Sequence, residues 1–382
     1  MLVRCGCCQS QDDKAIIYSK KDCPAVNNVV YDTREEAVNC AVGDIELKHC
    51  GKCGFVFNSS YRSELVNYND NYRNARSISP AYSRHLDDIV DISSRGIGGE
   101  KKILEIGCGD GEFLKRLCSK TSARGVGYDR AYHGAGRYDE KTSFVKEYFD
   151  PKLCAQKFDI VILRHVLEHI AEPYSFLKTI CDAGILQSGG DIWIEVPDLE
   201  WILEKQAFYD VTYEHCNYFS KQSLGTLLPS LGFDVVGMKN VFGGQYILLE
   251  AIYSPEVIGK EKTTRSILSA SSITNKLYET KNKYSELVED SENICVWGAS
   301  GKGVIFLSEL SGELLGKVKY VIDIDTEKQG RFLPLCGKRI SGPAVLKNES
   351  GGVSVLVMNG VYEREIADML DELEIDAQMY VL

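Results

Sequence analysis

The sequence contains no run of about 18 apolar residues, the minimum for a helix that crosses a membrane. Its opening residues, Met1-Leu2-Val3-Arg4-Cys5, lack the apolar stretch of a secretory signal. It has no excess of basic residues: 44 Lys and Arg stand against 55 Asp and Glu, a net charge of −11. A general nucleic-acid binder needs a basic face to displace phosphate counterions, so that class is excluded. A local basic pocket for a sugar phosphate is not. Low-complexity tracts are also missing. What is present is 44% hydrophobic and 26% charged residues in 382, which suits a folded chain of two or three domains. These features predict a cytoplasmic protein with no membrane and no nucleic-acid partner.

The chain has fourteen cysteines, which in a reducing compartment do not read as a disulfide framework. Nine are scattered, as small buried hydrophobes usually are. The other five fall into two clusters, Cys5, Cys7 and Cys8 at the start and then Cys50 and Cys53. Residues 1–75 are rich in Cys, Asn and Tyr and poor in apolar runs, so this segment needs a staple. The pairs Cys5/Cys8 and Cys50/Cys53 are both C-x2-C and can give four thiolates to one tetrahedral zinc. Residues 9–49 between them exceed zinc-ribbon spacing, which predicts a small β insertion. An all-cysteine ligand set points to a closed structural site, with Cys7 and His49 as lesser ligand candidates.

Residues 76–255 alternate strand-like and helix-like stretches. Residues 102–106, 125–128, 159–163 and 191–196 read as strands, and 112–118, 173–183 and 221–231 as helices. Late strands follow at 232–236 and 245–252. This order predicts an α/β domain whose parallel sheet is covered on both faces. Residues 256–382 open with a polar stretch, 260–293, whose apolar spacing suggests a linking helix. Buried strands then follow at 294–297, 320–324 and 353–358, giving a second, Rossmann-like α/β unit.

The strongest motif is Ile103-Leu104-Glu105-Ile106-Gly107-Cys108-Gly109-Asp110-Gly111. A buried strand ends in a carboxylate and enters a glycine turn at a helix N-terminus, where backbone can approach a ligand closely. Asp129, ending the next strand, can accept both hydroxyls of a ribose. An E-x-G-x-G-x-G turn of this kind resembles the class I S-adenosylmethionine (SAM) methyltransferases. The candidate cofactor residues are Glu105, Gly107, Cys108, Gly109, Gly111 and Asp129, with Arg164 at the end of the fourth strand. His165-Val166-Leu167-Glu168-His169 also matches an H-x-x-E-H metalloprotease pattern, which requires a helix. Farther on, Glu214-His215 lies among aromatics, where a neighbouring carboxylate would fix the imidazole tautomer and raise its basicity. A second glycine turn, Gly298-Ala299-Ser300-Gly301-Lys302-Gly303, precedes Asp323, Asp325 and Lys328-Gln329-Gly330-Arg331. Lys302, Lys328 and Arg331 suit a pyrophosphate, while NAD is the competing occupant.

Taken together, the chain resembles the three-domain SAM-dependent methyltransferases that act on carbon 3 of nucleotide-linked 4-keto-6-deoxy sugars. The resemblance spans the whole length. It rests on the cysteine pairs with His49–Gly54, the glycine turn at 103–111, His165–Ile170, Glu195-Val196-Pro197, Glu214-His215 and Gly243-Gly244. The third-domain runs Gly-Ala-x-x-Lys-Gly and Asp-x-x-x-x-Lys-Gln-Gly-Arg complete it. It implies a zinc-binding domain at 1–75, a SAM domain at 76–255 and a Rossmann-like substrate domain at 256–382. It also implies deoxysugar biosynthesis by a monomer or homodimer. His215 would be the general base that forms an enolate, and Glu214 and His169 would orient or polarise the sugar oxygens. Methylation at oxygen or nitrogen of a related sugar is the alternative, and an NAD-dependent sugar oxidoreductase a more distant one. Three departures from the family pattern, at Thr212, Asn74–Ser79 and Asn359, would all lie near the sugar.

Overall fold

The computed structural model describes residues 3–382, apart from 13, 69–70, 75, 259–267, 279–285, 290–292 and 350–351. Strands Val3–Arg4 (β1) and Gln11–Asp12 (β2) pair antiparallel and hold Cys5–Cys8 in the turn between them. Ala15–Pro24 (β3), Val42–His49 (β4) and Val56–Asn58 (β5) then form an antiparallel sheet. This is the β insertion that the spacing of the cysteine pairs predicts. Cys50 and Cys53 lie in the turn from β4 to β5.

The central sheet comprises Lys102–Ile106 (β6), Arg124–Tyr128 (β7), Thr142–Val145 (β8), Phe158–Arg164 (β9) and Leu186–Pro197 (β10). Asn217–Tyr218 (β11) leaves it, and Phe233–Val241 (β12) and Tyr246–Tyr253 (β13) rejoin it. Its order is β12-β13-β10-β9-β6-β7-β8, with β6 to β10 parallel and β13 antiparallel to both neighbours. In β9, Ile160 to Leu163 are all buried, as a strand covered on both faces requires. Helices Pro80–Ser94 and Glu112–Lys120 cover one face. Pro173–Asp182, Lys221–Ser230 and the cysteine turns cover the other. The Pro80–Ser94 helix starts where its sequence says it should. Ser79 caps the Tyr82 amide, Pro80 occupies the first turn, and Tyr82, His85, Leu86, Ile89 and Val90 form the buried stripe.

A second parallel sheet is built from Ile294–Trp297 (β14), Val318–Ile322 (β15), Ile340–Ser341 (β16), Val353–Val357 (β17) and Ala377–Val381 (β18), in the order β16-β15-β14-β17-β18. The chain is therefore an α/β protein with two Rossmann-like sheets. Of the linking segment at 260–293, Ala270–Tyr278 is helical, and most of the remainder lies outside the described residues.

The short strand β11 does not join the central sheet. It pairs with β5, so the N-terminal sheet runs β11-β5-β4-β3 and contains a strand from beyond residue 200. A shared core fixes this arrangement. Ile17, Tyr18, Ile45 and Leu47 pack with Phe208, Tyr209, Tyr213 and Tyr218, and with Ile305 and Phe306 of the helix Gly301–Glu309.

Candidate functional site

Two cavities meet at the C-terminal edge of the central sheet. One, of about 340 Å³, is lined by the glycine turn after β6 together with Asp129, Tyr148, Phe149 and Arg164. The other, of about 270 Å³, lies between the two Rossmann-like sheets, with Asn27 and Asn28 of the N-terminal segment in its wall. Tyr72, Asn74, Arg76, His165 and His169 line both.

The first cavity has the chemistry of a nucleoside site. Gly107, at φ +73°, turns the chain out of β6, and a Cβ there would stand 2.3 Å from Val166 Cγ2. Asp129 Oδ2 accepts from the Gly109 amide at 2.8 Å and Oδ1 from Ala131 at 2.7 Å, so the carboxylate is fixed at the rim. Glu105 is buried at the wall with Oε2 lacking a partner. Burial pushes its carboxyl up to about 8, against the nearby Arg164 guanidinium. Arg164 donates from Nε to Glu195 Oε2 at 2.7 Å, and His85 Nε2 lies 2.7 Å from Glu195 Oε1. Burial alone would raise Glu195, but Arg164, then His165 and His85, hold it below the usual carboxylate range. Six of the residues predicted for the cofactor, Glu105, Gly107, Cys108, Gly109, Asp129 and Arg164, line this cavity. Gly111 does not, and instead caps the helix that follows.

The second cavity collects Glu168, His169, Glu214 and His215. Donor atoms of Glu168, His169 and His215 lie within 4.8 Å of one another. His169 Nδ1 is 2.9 Å from the Glu214 carbonyl and 3.0 Å from the Tyr68 hydroxyl. A carbonyl can only accept, so Nδ1 carries the proton and Nε2 keeps its lone pair. Burial lowers His169 to about 4 and drives His215 well below its ordinary value, helped by His169, Arg76 and Lys302. Burial raises Glu168 to about 8 and Glu214 to about 7. The sequence pair Glu214-His215 does not behave as adjacency suggests. Glu214 Oε1 accepts from the Asn27 amide at 3.0 Å, on the N-terminal segment, and the imidazole's basicity falls instead of rising.

The second glycine turn faces the same cavity, but its three basic candidates have different fates. Lys302 lines it, paired with Asp210 and set 4.9 Å from the Trp201 ring and 5.3 Å from the Tyr209 ring. Lys328 also lines it, yet its ammonium is spent on the turn, reaching Ser300 Oγ at 2.5 Å and the Ala299 carbonyl and Asp323 at 3.3 Å. Arg331 lines neither cavity; its Nε lies 3.2 Å from Asp32 Oδ1. The charge run that suggests a pyrophosphate clamp is thus split between a turn brace and a clamp on the N-terminal segment. All three departures reach this cavity: Thr212, Asn359, and Asn74, Arg76, Ile78 and Ser79 of the 74–79 run line it. The H-x-x-E-H run forms a single tight turn, Leu167–His169, and not a protease helix. Sequence reading missed Tyr68, Tyr72 and Asn27, which come from segments without periodicity, and reached Arg76 only as a member of the 74–79 run.

The four cysteines converge. Cys5 and Cys53 sulfurs lie 3.7 Å apart, as do those of Cys8 and Cys50. A tetrahedron with thiolate bonds of about 2.3 Å has edges of about 3.8 Å, so the donor set fits one metal ion. Cys7 points away, with its sulfur 3.2 Å from the Ser223 carbonyl.

Residues 75–237 match the family model of a methyltransferase domain. The chain is a SAM-dependent methyltransferase. It is 24% identical over 367 residues to the C-methyltransferase NovU of Streptomyces niveus, covering 88% of this chain and 84% of that one. Among solved structures it is similar to the 1,6-didemethyltoxoflavin N1-methyltransferase of Burkholderia thailandensis, at 18% identity and a TM-score of 0.36 over 44% of this chain and 78% of that one. It is likewise similar to the magnesium protoporphyrin IX methyltransferase of Synechocystis, at 18% identity and a TM-score of 0.35 over 49% and 91%. No described helix is long and apolar enough to cross a membrane.

Proposed function

We propose that this methyltransferase transfers a methyl group to carbon 3 of a nucleotide-linked 4-keto-6-deoxy sugar. The observation that carries the reading is the meeting of the two cavities beside a half-buried pair of imidazoles, His169 and His215, whose ring centroids are 4.9 Å apart. Glu105, the glycine turn, Asp129 and Arg164 would hold SAM, which when bound supplies an electrophilic methyl group. His215, kept neutral by its surroundings at pH 7, takes the proton from carbon 3. A ketone at carbon 4 accepts the electron pair, so the acidity comes from the substrate. Glu168, held largely protonated near neutral pH, and Glu214, about half protonated there, can donate hydrogen bonds toward sugar oxygens. His169, oriented by the Glu214 carbonyl and Tyr68, offers Nε2 as an acceptor. The walls exclude water and fix the reacting groups at short range.

The proposed layout is a zinc-stapled unit at 1–75, the methyltransferase unit at 76–255 and a substrate-holding unit at 256–382. Zn²⁺ is the natural occupant of four thiolates in a closed site. The likeness to a protein named as a C-methyltransferase supports transfer to carbon.

The test combines the purified protein with SAM and nucleotide sugars with and without a 4-keto group, reading S-adenosylhomocysteine release by mass spectrometry. Release with keto sugars only, together with deuterium wash-in at carbon 3 when SAM is omitted, is the expected result. Release with ordinary sugars and no wash-in would move the acceptor to oxygen or nitrogen and refute the enolate.

A further inference from the structure

Arg76 lies on the short turn Arg76–Ile78 ahead of the Pro80–Ser94 helix, and it lines both cavities. Its Nε donates to Asn74 Oδ1 and its Nη1 to the Tyr246 hydroxyl, each at a long 3.3 Å. Its guanidinium carbon stands 5.3 Å from the centre of the Tyr82 ring. Arg116, Arg164 and Arg331 each reach a carboxylate. Among the described residues, Arg76 reaches none. Most of its five N–H donors are therefore unused. Next to it, His165 Nε2 is buried without a hydrogen-bond partner, its ring 4.5 Å from that of Tyr246.

A guanidinium held in an aromatic pocket without a counter-charge is costly unless something negative completes it. We infer that Arg76 is the receptor for an anionic oxygen at the junction of the two cavities. The chemistry offers two such oxygens. One is the carboxylate at the methionine end of SAM. The other belongs to the proposed reaction, and that arm alone rests on the reading above: as the C3–H bond breaks, its proton passes to His215, its electron pair forms the C3–C4 double bond, and the carbonyl π pair moves onto the 4-keto oxygen. Either would take a bidentate, charge-assisted pair of hydrogen bonds from the guanidinium.

The test uses the full chain and the variants Arg76→Met, which keeps bulk and loses charge, and Arg76→Lys. Binding of S-adenosylhomocysteine is compared by calorimetry with that of 5′-methylthioadenosine, which lacks the amino-acid end. In parallel, deuterium wash-in at carbon 3 is followed without SAM on a keto sugar that the wild type exchanges. A cofactor source predicts that Arg76→Met weakens S-adenosylhomocysteine about 10- to 100-fold, leaves methylthioadenosine unchanged, and is partly rescued in Arg76→Lys. A substrate source predicts unchanged nucleoside binding and wash-in slowed by at least about tenfold. Changes below twofold in both arms, or equal loss of the two nucleosides, would overturn the assignment. If the wild type exchanges no keto sugar, the enolate reading fails by itself, and the nucleoside comparison alone decides for or against Arg76.

Discussion

Glu105 makes the glycine-turn cavity, proposed above to hold SAM, a proton store. Its folded value of about 8 exceeds the ordinary 4.5, with burial as the main cause. At pH 7 roughly 0.9 of the carboxyl population is then protonated in the free chain. SAM carries two positive charges and one negative, and a cation beside the unpartnered Oε2 favours the carboxylate. Binding should therefore release up to about 0.9 proton at pH 7, and progressively less above pH 8. Calorimetry in buffers of different ionisation enthalpy reads this as the slope of the apparent binding enthalpy. The same residue shapes the stability of the free chain. A carboxyl raised on folding contributes fully below its unfolded value, and that contribution is lost as pH rises through the folded one. At about 1.4 kcal/mol per pH unit from 4.5 upward, Glu105 alone costs on the order of 3 kcal/mol by pH 7. Glu105→Gln should abolish the proton release and flatten this part of the pH–stability curve. Proton uptake on binding, or release that survives in Glu105→Gln, would refute the reasoning.

Other perturbations separate the parts of the molecule. His215→Ala should retain S-adenosylhomocysteine affinity and the melting transition while losing at least about 100-fold in turnover, since general-base effects span about 10²–10⁴; near-normal turnover would reassign the base. Cys53→Ser should remove the metal measured by elemental analysis and lower soluble yield, and an unchanged metal content would contradict the four-cysteine site. Glu195→Ala leaves Arg164 buried without its partner and should destabilise the protein by about 3–5 kcal/mol, seen as a lower denaturant midpoint. Gly43→Ala places a Cβ 2.2 Å from the Tyr213 ring, and should cost about 1–3 kcal/mol and depress turnover while cofactor affinity stays constant.

Strand interiors were readable because burial on both faces demands continuous apolar runs: residues 294–297 read as a strand, and β14 occupies them. The glycine turn after β6 was equally legible, since its backbone needs residues without Cβ. Strand β11 was not, because two residues carry no period and their partner lies 160 positions earlier. The Pro80–Ser94 helix had a usable signal in its cap and apolar stripe. Tyr68 had none, since its value comes from where a loop runs, and Arg76 was marked only within the 74–79 departure. Glu214 and His215 show the limit of adjacency, since successive side chains diverge and each answers to a different neighbour. The charge run at 328–331 failed for the same reason, with Lys328 turning inward to brace a loop and Arg331 outward to Asp32.

The pairing of β11 with β5 makes the cysteine module a structural prerequisite for the chemistry proposed at His215. The loop that carries the imidazole, residues 212–216, ends directly in β11, and so hangs from a sheet whose far end is the second cysteine turn. A fragment starting at residue 76 would keep the glycine turn yet leave β11 without its edge partner and Glu214 without the Asn27 amide. Such a fragment also loses Tyr72 from the wall that both cavities share and the cysteine turns from one face of the central sheet, and should be catalytically silent. On the zinc assignment proposed above, a chain that has not loaded its four thiolates would lack the support for residues 212–216, and turnover would then depend on metal supply.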